Sequence, residues 1–292
     1  MNYNIKEDAK YKIYNSELVK YVSPEKIEEA FSKIHTYDNI NEFLETYGKP
    51  GYSNGRLEGF NRNGESYIGP NATSHTVIHE VLHTLSSRFD SEGHRIINGI
   101  SGYKKEGFGN IINEGITDYL ATKISGEAPR NYIEGHKLFC KLEPMMIKYT
   151  KDQNILMQIY TSNNVKFMQE FLDYFGKNNT FEDLYNNFLF KNDEEIDKLL
   201  KPVKKNVNKY VKRAEKKENI ANLLNKIHNI FSKNKIKMLP EGSKENSIQK
   251  NSHERFVTNY NINNFETKMN DEYLNSKRKE QKETSNEIFK EL

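Results

Sequence analysis

Apolar residues recur every three to four positions through most of the chain and alternate at strand spacing in only a few short places, so the pattern predicts an α+β, mostly helical protein. Ser23-Pro24 places a cap and then a proline ahead of Ile27, Ala30, Phe31 and Ile34, which marks a helix start. Another helix is expected over 40–47. Residues 57–61 and 65–69 flank Arg62-Asn63-Gly64, and Asn-Gly between such runs signals a hairpin. Asn98-Gly99, inside 96–101, signals a second. Between the two, Val77, Ile78, Val81, Leu82, Leu85 and Phe89 give a helix over 73–88 an apolar back, with Thr73 and Ser74 as caps.

Further helical patterns cover 111–121, 132–149, 165–175 and 181–200. From Val203 to Lys237 a long amphipathic stretch carries Val203, Val207, Val211, Ile220, Leu223, Leu224, Ile227 and Phe231 among many lysines. Beyond Pro240 the residues are polar with sparse apolar positions, which predicts a flexible tail, with 269–292 as a marginal helix. The expected organisation is a domain over 1–200, a basic helical extension over 201–238 and a polar tail over 239–292.

Charge sharpens that division. Residues 1–200 hold 23 Lys+Arg against 29 Asp+Glu, net −6, and residues 201–292 hold 21 against 12, net +9. The basic stretch suits packing on its own domain, or contact with a nucleic acid or an anionic surface. One cysteine, Cys140, excludes an internal disulfide and a cysteine zinc site, and is expected to be a small buried hydrophobe. No run approaches the roughly 18 apolar residues of a membrane span, and the N-terminus has no signal-peptide core, so a cytoplasmic location is expected unless export proceeds without a cleaved signal. The chain shows no repeat, no phosphate-binding glycine loop, and no Ser/His/Asp or Cys/His set.

The chemistry concentrates in His79-Glu80-Val81-Leu82-His83. Two histidines four apart on a helix share a face and can grip one metal ion, and the residue after the first is placed to reach a water on that metal. A catalytic zinc takes three protein ligands, so a third is required. His75 is excluded: it stands eight residues from His83, roughly 12 Å along a helix. A third histidine six residues beyond His83 is absent, because Phe89 occupies that position. A carboxylate from a later helix remains, and Ile111 to Ala121 carries Glu114 and Asp118 four apart on one face.

His-Glu-x-x-His followed by Asn113-Glu114-x-x-Thr117-Asp118 resembles the gluzincin zinc metallopeptidases, the thermolysin-like group, over about residues 74–121. The resemblance implies a zincin-like fold with a small sheet and a helical C-terminal half, its zinc-binding core within 55–140. It implies one zinc per chain on His79, His83 and Glu114, Glu80 as general base, and Asn113 and Asp118 behind the ligands. Tyr132 and His136 are alternatives for stabilising the oxyanion. Zincins pair an extended substrate with an edge strand, which the 57–69 hairpin would supply. The expected function is a zinc endopeptidase acting on a protein or peptide. The alternative is a non-catalytic binding module that keeps the scaffold and recognises nucleic acid or a partner through its basic C-terminal region. An effector peptidase delivered to another cell shares the first chemistry and differs in where its target lies.

Overall fold

The computed structural model describes residues 3–48, 57–102, 108–129, 131–177, 179–187 and 192–236, and divides the chain into two compact units, Met1–Val211 and Lys212–Leu292. The class is α+β and mostly helical. In chain order the first unit contains α1 (Tyr3–Tyr14), a 3-10 turn (Glu17–Lys20), α2 (Pro24–Ser32), β1 (Ile34–Thr36), α3 (Ile40–Tyr47), β2 (Gly59–Arg62), β3 (Glu65–Ile68) and α4 (Ser74–Ser86). It continues through β4 (Ser87–Phe89), β5 (Arg95–Asn98), β6 (Ser101–Gly102), α5 (Phe108–Ser125), α6 (Ile133–Thr150), α7 (Ile155–Ser162), α8 (Val165–Phe175) and α9 (Thr180–Asn187) to the start of α10 (Asp193–Ile236).

The first unit is built around α4. A capping box of Thr73 and Thr76 starts it, and every residue except Thr84 is buried, packed against α1, α2, α5, α7 and both small sheets. A helix buried on all sides must place its polar groups deliberately, because each one left unpaired costs free energy. One sheet has the order β1-β3-β2, with β1 parallel to β3 and β2 antiparallel to it, so β2 is an edge strand. Its faces alternate: Phe60 and Tyr67 stack towards Phe43 of α3, whereas Asn61 and Ser66 turn to α4 and both bond the Thr84 hydroxyl at 2.9 Å. The expected Asn63-Gly64 turn joins the strands, both residues with positive φ, as a two-residue hairpin of this hand requires.

The second sheet, β4-β5-β6, follows α4 without a loop. Its β5–β6 turn is built on Gly99 and Ile100, one residue later than expected, and the β4–β5 hairpin was not anticipated. Gly99 has φ +56°, and a Cβ there would come within 2.3 Å of both Asn113 Oδ1 and the Tyr160 ring. Behind α4, α5 and α6 cross glycine to glycine: a Cβ on Gly115 would stand 2.5 Å from the Gly135 Cα. No larger residue permits this approach, which fixes α6 against the helix bearing Glu114.

Several expectations change. Ile34 belongs to β1, since pairing with Ser66 ends α2 at Ser32. The 181–200 pattern divides between α9 and α10. Cys140 is exposed, because Leu138, Phe139 and Leu142 take the inward positions of α6. The described part of the 203–237 pattern, up to Ile236, is helical but does not bury one stripe: Val203, Val207 and Val211 are buried, while Ile220, Leu223 and Leu224 are exposed. The described part of the second unit is the stretch of α10 from Lys212 onward. The tail over 239–292 and its helix over 269–292 lie outside the described residues. No described helix is long and apolar enough to cross a membrane.

Candidate metal centre and cleft

α4 presents His79 and His83 one turn apart, and α5 brings Glu114 against them. His79 Nε2 stands 3.0 Å from Glu114 Oε2, His83 Nε2 stands 3.1 Å from the same oxygen, and the two nitrogens are 3.1 Å apart. Among the described residues this is the one cluster of metal-ligating side chains whose donor atoms all converge. Tetrahedral N and O ligands at about 2.0–2.1 Å from zinc stand roughly 3.3 Å from one another, so the triangle fits a zinc ion to within a few tenths of an ångström.

Hydrogen bonding supports the same reading. His83 Nδ1 lies 3.3 Å from Asn98 Oδ1, which also accepts the Ser86 hydroxyl at 3.0 Å. An acceptor at Nδ1 makes that nitrogen the donor and leaves the Nε2 lone pair of neutral His83 aimed at a carboxylate oxygen. Such an arrangement is repulsive unless a cation sits between the two groups.

A proton takes that place when no metal is present. Burial would depress the His79 imidazole, but the hydrogen bond to Glu114 and the charges of Glu80, Glu114 and Asp118 prevail and raise it to about 9. Glu114 is only partly buried; desolvation would raise its carboxyl, yet His83 and His79 hold it far below the usual range. Metal binding must therefore displace a proton that His79 keeps up to about pH 9. Zinc affinity is expected to rise about tenfold per pH unit from pH 6.5 towards pH 9 and then level off. Competition titrations against a chromophoric chelator across that range measure this, and a flat profile would remove His79 from the ligand set.

Asn98 was not anticipated as a site residue; its Asn-Gly dipeptide reads as a turn, and only the fold reveals that its amide serves His83. Asn98→Ala is expected to weaken zinc binding about 10- to 100-fold with the helical circular dichroism unchanged. Unaltered affinity would show that Asn98 does not orient the ligand.

Glu80 projects into a cleft of about 280 Å³ whose lining includes His79, Thr76, Gly59, Asp118 and Tyr132. Burial raises its carboxyl, and His79 and His83 oppose the shift. The start of β2 passes close by: a Cβ on Gly59 would come within 3.0 Å of Glu80 Cγ and of Thr76 Cγ2, so a bare backbone is what leaves room for the Glu80 side chain. Tyr132 caps α6 in a left-handed conformation, φ 53°, and lays its ring over His79, centroids 5.9 Å apart and 13° from parallel. Although the residue is half-exposed, loss of solvent around its hydroxyl and the Glu114 and Glu80 charges raise its phenol well above the usual tyrosine range.

The other expected site residues are placed differently. Asp118 is buried between His75 and His136, 3.4 and 3.3 Å from their ring nitrogens, and interacts with His79 through charge. Burial raises its carboxyl to about 6, with Glu114 adding to the shift and His79 opposing it. His136 stands behind Asp118 and against the Tyr119 ring and does not line the cleft, so of the two oxyanion alternatives only Tyr132 is in the cleft wall. Asn113 accepts the Ile100 N–H at 2.9 Å and ties α5 to the β5–β6 turn.

Family models, curated proteins and solved structures were compared with the chain. None matches.

Proposed function

We propose that this protein is a zinc-dependent peptidase of gluzincin type. The observation that carries the reading is the His79, His83 and Glu114 triangle with Glu80, a carboxylate outside the triangle, in the adjoining cleft. His79, His83 and Glu114 would hold the ion. Zinc bound there supplies a Lewis acid that polarises a carbonyl and brings the pKa of water towards about 7.

The chain's own groups do the rest. Glu80, with its basicity increased by burial, takes a proton from the attacking water and passes it to the leaving amine. The phenol of Tyr132, protonated at any working pH, has a hydrogen to offer the carbonyl oxygen as it gains charge. Among the described residues β2 pairs with β3 alone and borders the cleft through Gly59, which suits the pairing of an extended peptide with its other edge. This support favours peptide hydrolysis over a binding module, for which a poised base outside the ligand set has no use. The deciding experiment is cleavage of an unstructured protein such as casein by the zinc-loaded full chain, with Glu80→Gln as the control.

A further inference from the structure

We infer that the stretch of α10 from Lys212 onward is a docking surface for an anionic lipid bilayer, lying in the interface with its apolar side among the acyl chains. The inference is independent of the peptidase reading. Every side chain from Lys212 to Lys226 is exposed. Ile220, Leu223 and Leu224 are among them, with 49%, 58% and 59% of their surface open. Their i, i+3, i+4 spacing gathers them on one side of the helix, and the sequence repeats that spacing at Ile227, Ile230 and Phe231. Large apolar side chains exposed together mark an interaction surface.

The cations stand on the same side. Arg213, Lys216 and Lys217 precede Ile220 by seven, four and three residues, which at about 100° per residue brings them into line with the patch. Glu215 and Glu218 fall on the far side by the same count. Residues 212–236 hold 7 Lys+Arg against 2 Asp+Glu, net +5, whereas residues 237–292 hold 10 against 10. The positive charge therefore belongs to the helix that carries the apolar patch.

Charge and the length of the stripe select the occupant. A second copy of the helix would set lysine against lysine. Its apolar seam would also last only two heptads, because Arg213 and Lys216 hold the seam positions before Ile220, and Asn234 and Lys237 hold those after Ile230. The neutral stretch over 237–292 offers no net charge to match. Nucleic acid is bound through its phosphates, which leaves the leucines without a role. An anionic bilayer matches both features: the isoleucine and leucines enter the acyl boundary, and the lysines lay their stems along it and carry their charge to the headgroups.

The test is co-sedimentation of the full chain with vesicles of phosphatidylcholine, alone or with about 30% phosphatidylserine. Binding to the mixed vesicles is expected to be at least about tenfold tighter than to phosphatidylcholine alone, and to weaken as salt rises. Leu223→Asn/Leu224→Asn is expected to lower it about 100-fold, and Lys216→Gln/Lys217→Gln about tenfold. All four positions are exposed, so helical circular dichroism should stay that of the wild type. No preference for phosphatidylserine, or binding that either double variant leaves unchanged, overturns the inference. A chain that ignores vesicles but binds a DNA duplex equally well with and without the leucines overturns it in favour of nucleic acid. A chain that ignores vesicles but sediments as a dimer, dissociated by the leucine variant, overturns it in favour of self-association.

Discussion

Glu80→Gln is expected to lose peptide hydrolysis by about 10²- to 10⁴-fold in kcat while its zinc content stays that of the wild type. The two halves of the result come from one geometric fact. Glu80 lines the cleft but contributes no atom to the triangle, whose three donors come from His79, His83 and Glu114. Glutamine keeps the size of the side chain beside Gly59 and Thr76, so the packing that places the residue survives and only the proton acceptor is lost. Turnover of a quenched peptide, read beside metal content by atomic emission, decides the matter. A variant that cleaved at the wild-type rate would remove Glu80 from the chemistry, and one that lost its zinc would mean that Glu80 shapes the metal site.

Glu114→Ala is expected to empty the site. Its Oε2 is the one atom shared by both imidazoles, and it supplies the only negative charge in the triangle. Without it two neutral nitrogens remain, and the loss of zinc affinity should exceed the roughly 10- to 100-fold that removal of an orienting neighbour costs. Dialysis against a weak chelator and then metal analysis should find about one zinc per wild-type chain and none in the variant. Undiminished zinc in Glu114→Ala would require another ligand and would return Glu114 to an ordinary helix face.

The parts of the site that follow local rules are legible in the sequence. Helical spacing and the Thr73 cap place α4, although Thr76 and not Ser74 completes the cap; an Asn-Gly pair places the β2–β3 hairpin, and the four-residue offsets of His79/His83 and Glu114/Asp118 place each pair on one face. What escapes the sequence depends on contacts between distant segments. β1 pairs in parallel with β3, which no local pattern specifies. α1 shows only Ala9 and Ile13 as a stripe, because its lysines and acids hide how firmly it docks on α4. Asp118 has the spacing of a residue that orients a ligand, yet His136 arrives from α6 and shares it with His75. Asn98 and Tyr160 converge on His83 from the end of β5 and from an unforeseen helix. Local propensity does not record which distant side chain a polar residue will serve.

The crossing of α5 and α6 bears on how the cleft can move. Gly115 and Gly135 bring two backbones into contact, and no side chain lies between them to act as a bearing. Glu114 precedes one glycine and Tyr132 stands a turn before the other, so the metal ligand and the aromatic wall travel as one stiff piece. Any breathing that admits a polypeptide is then expected on the opposite bank, formed by β2, and not at this crossing.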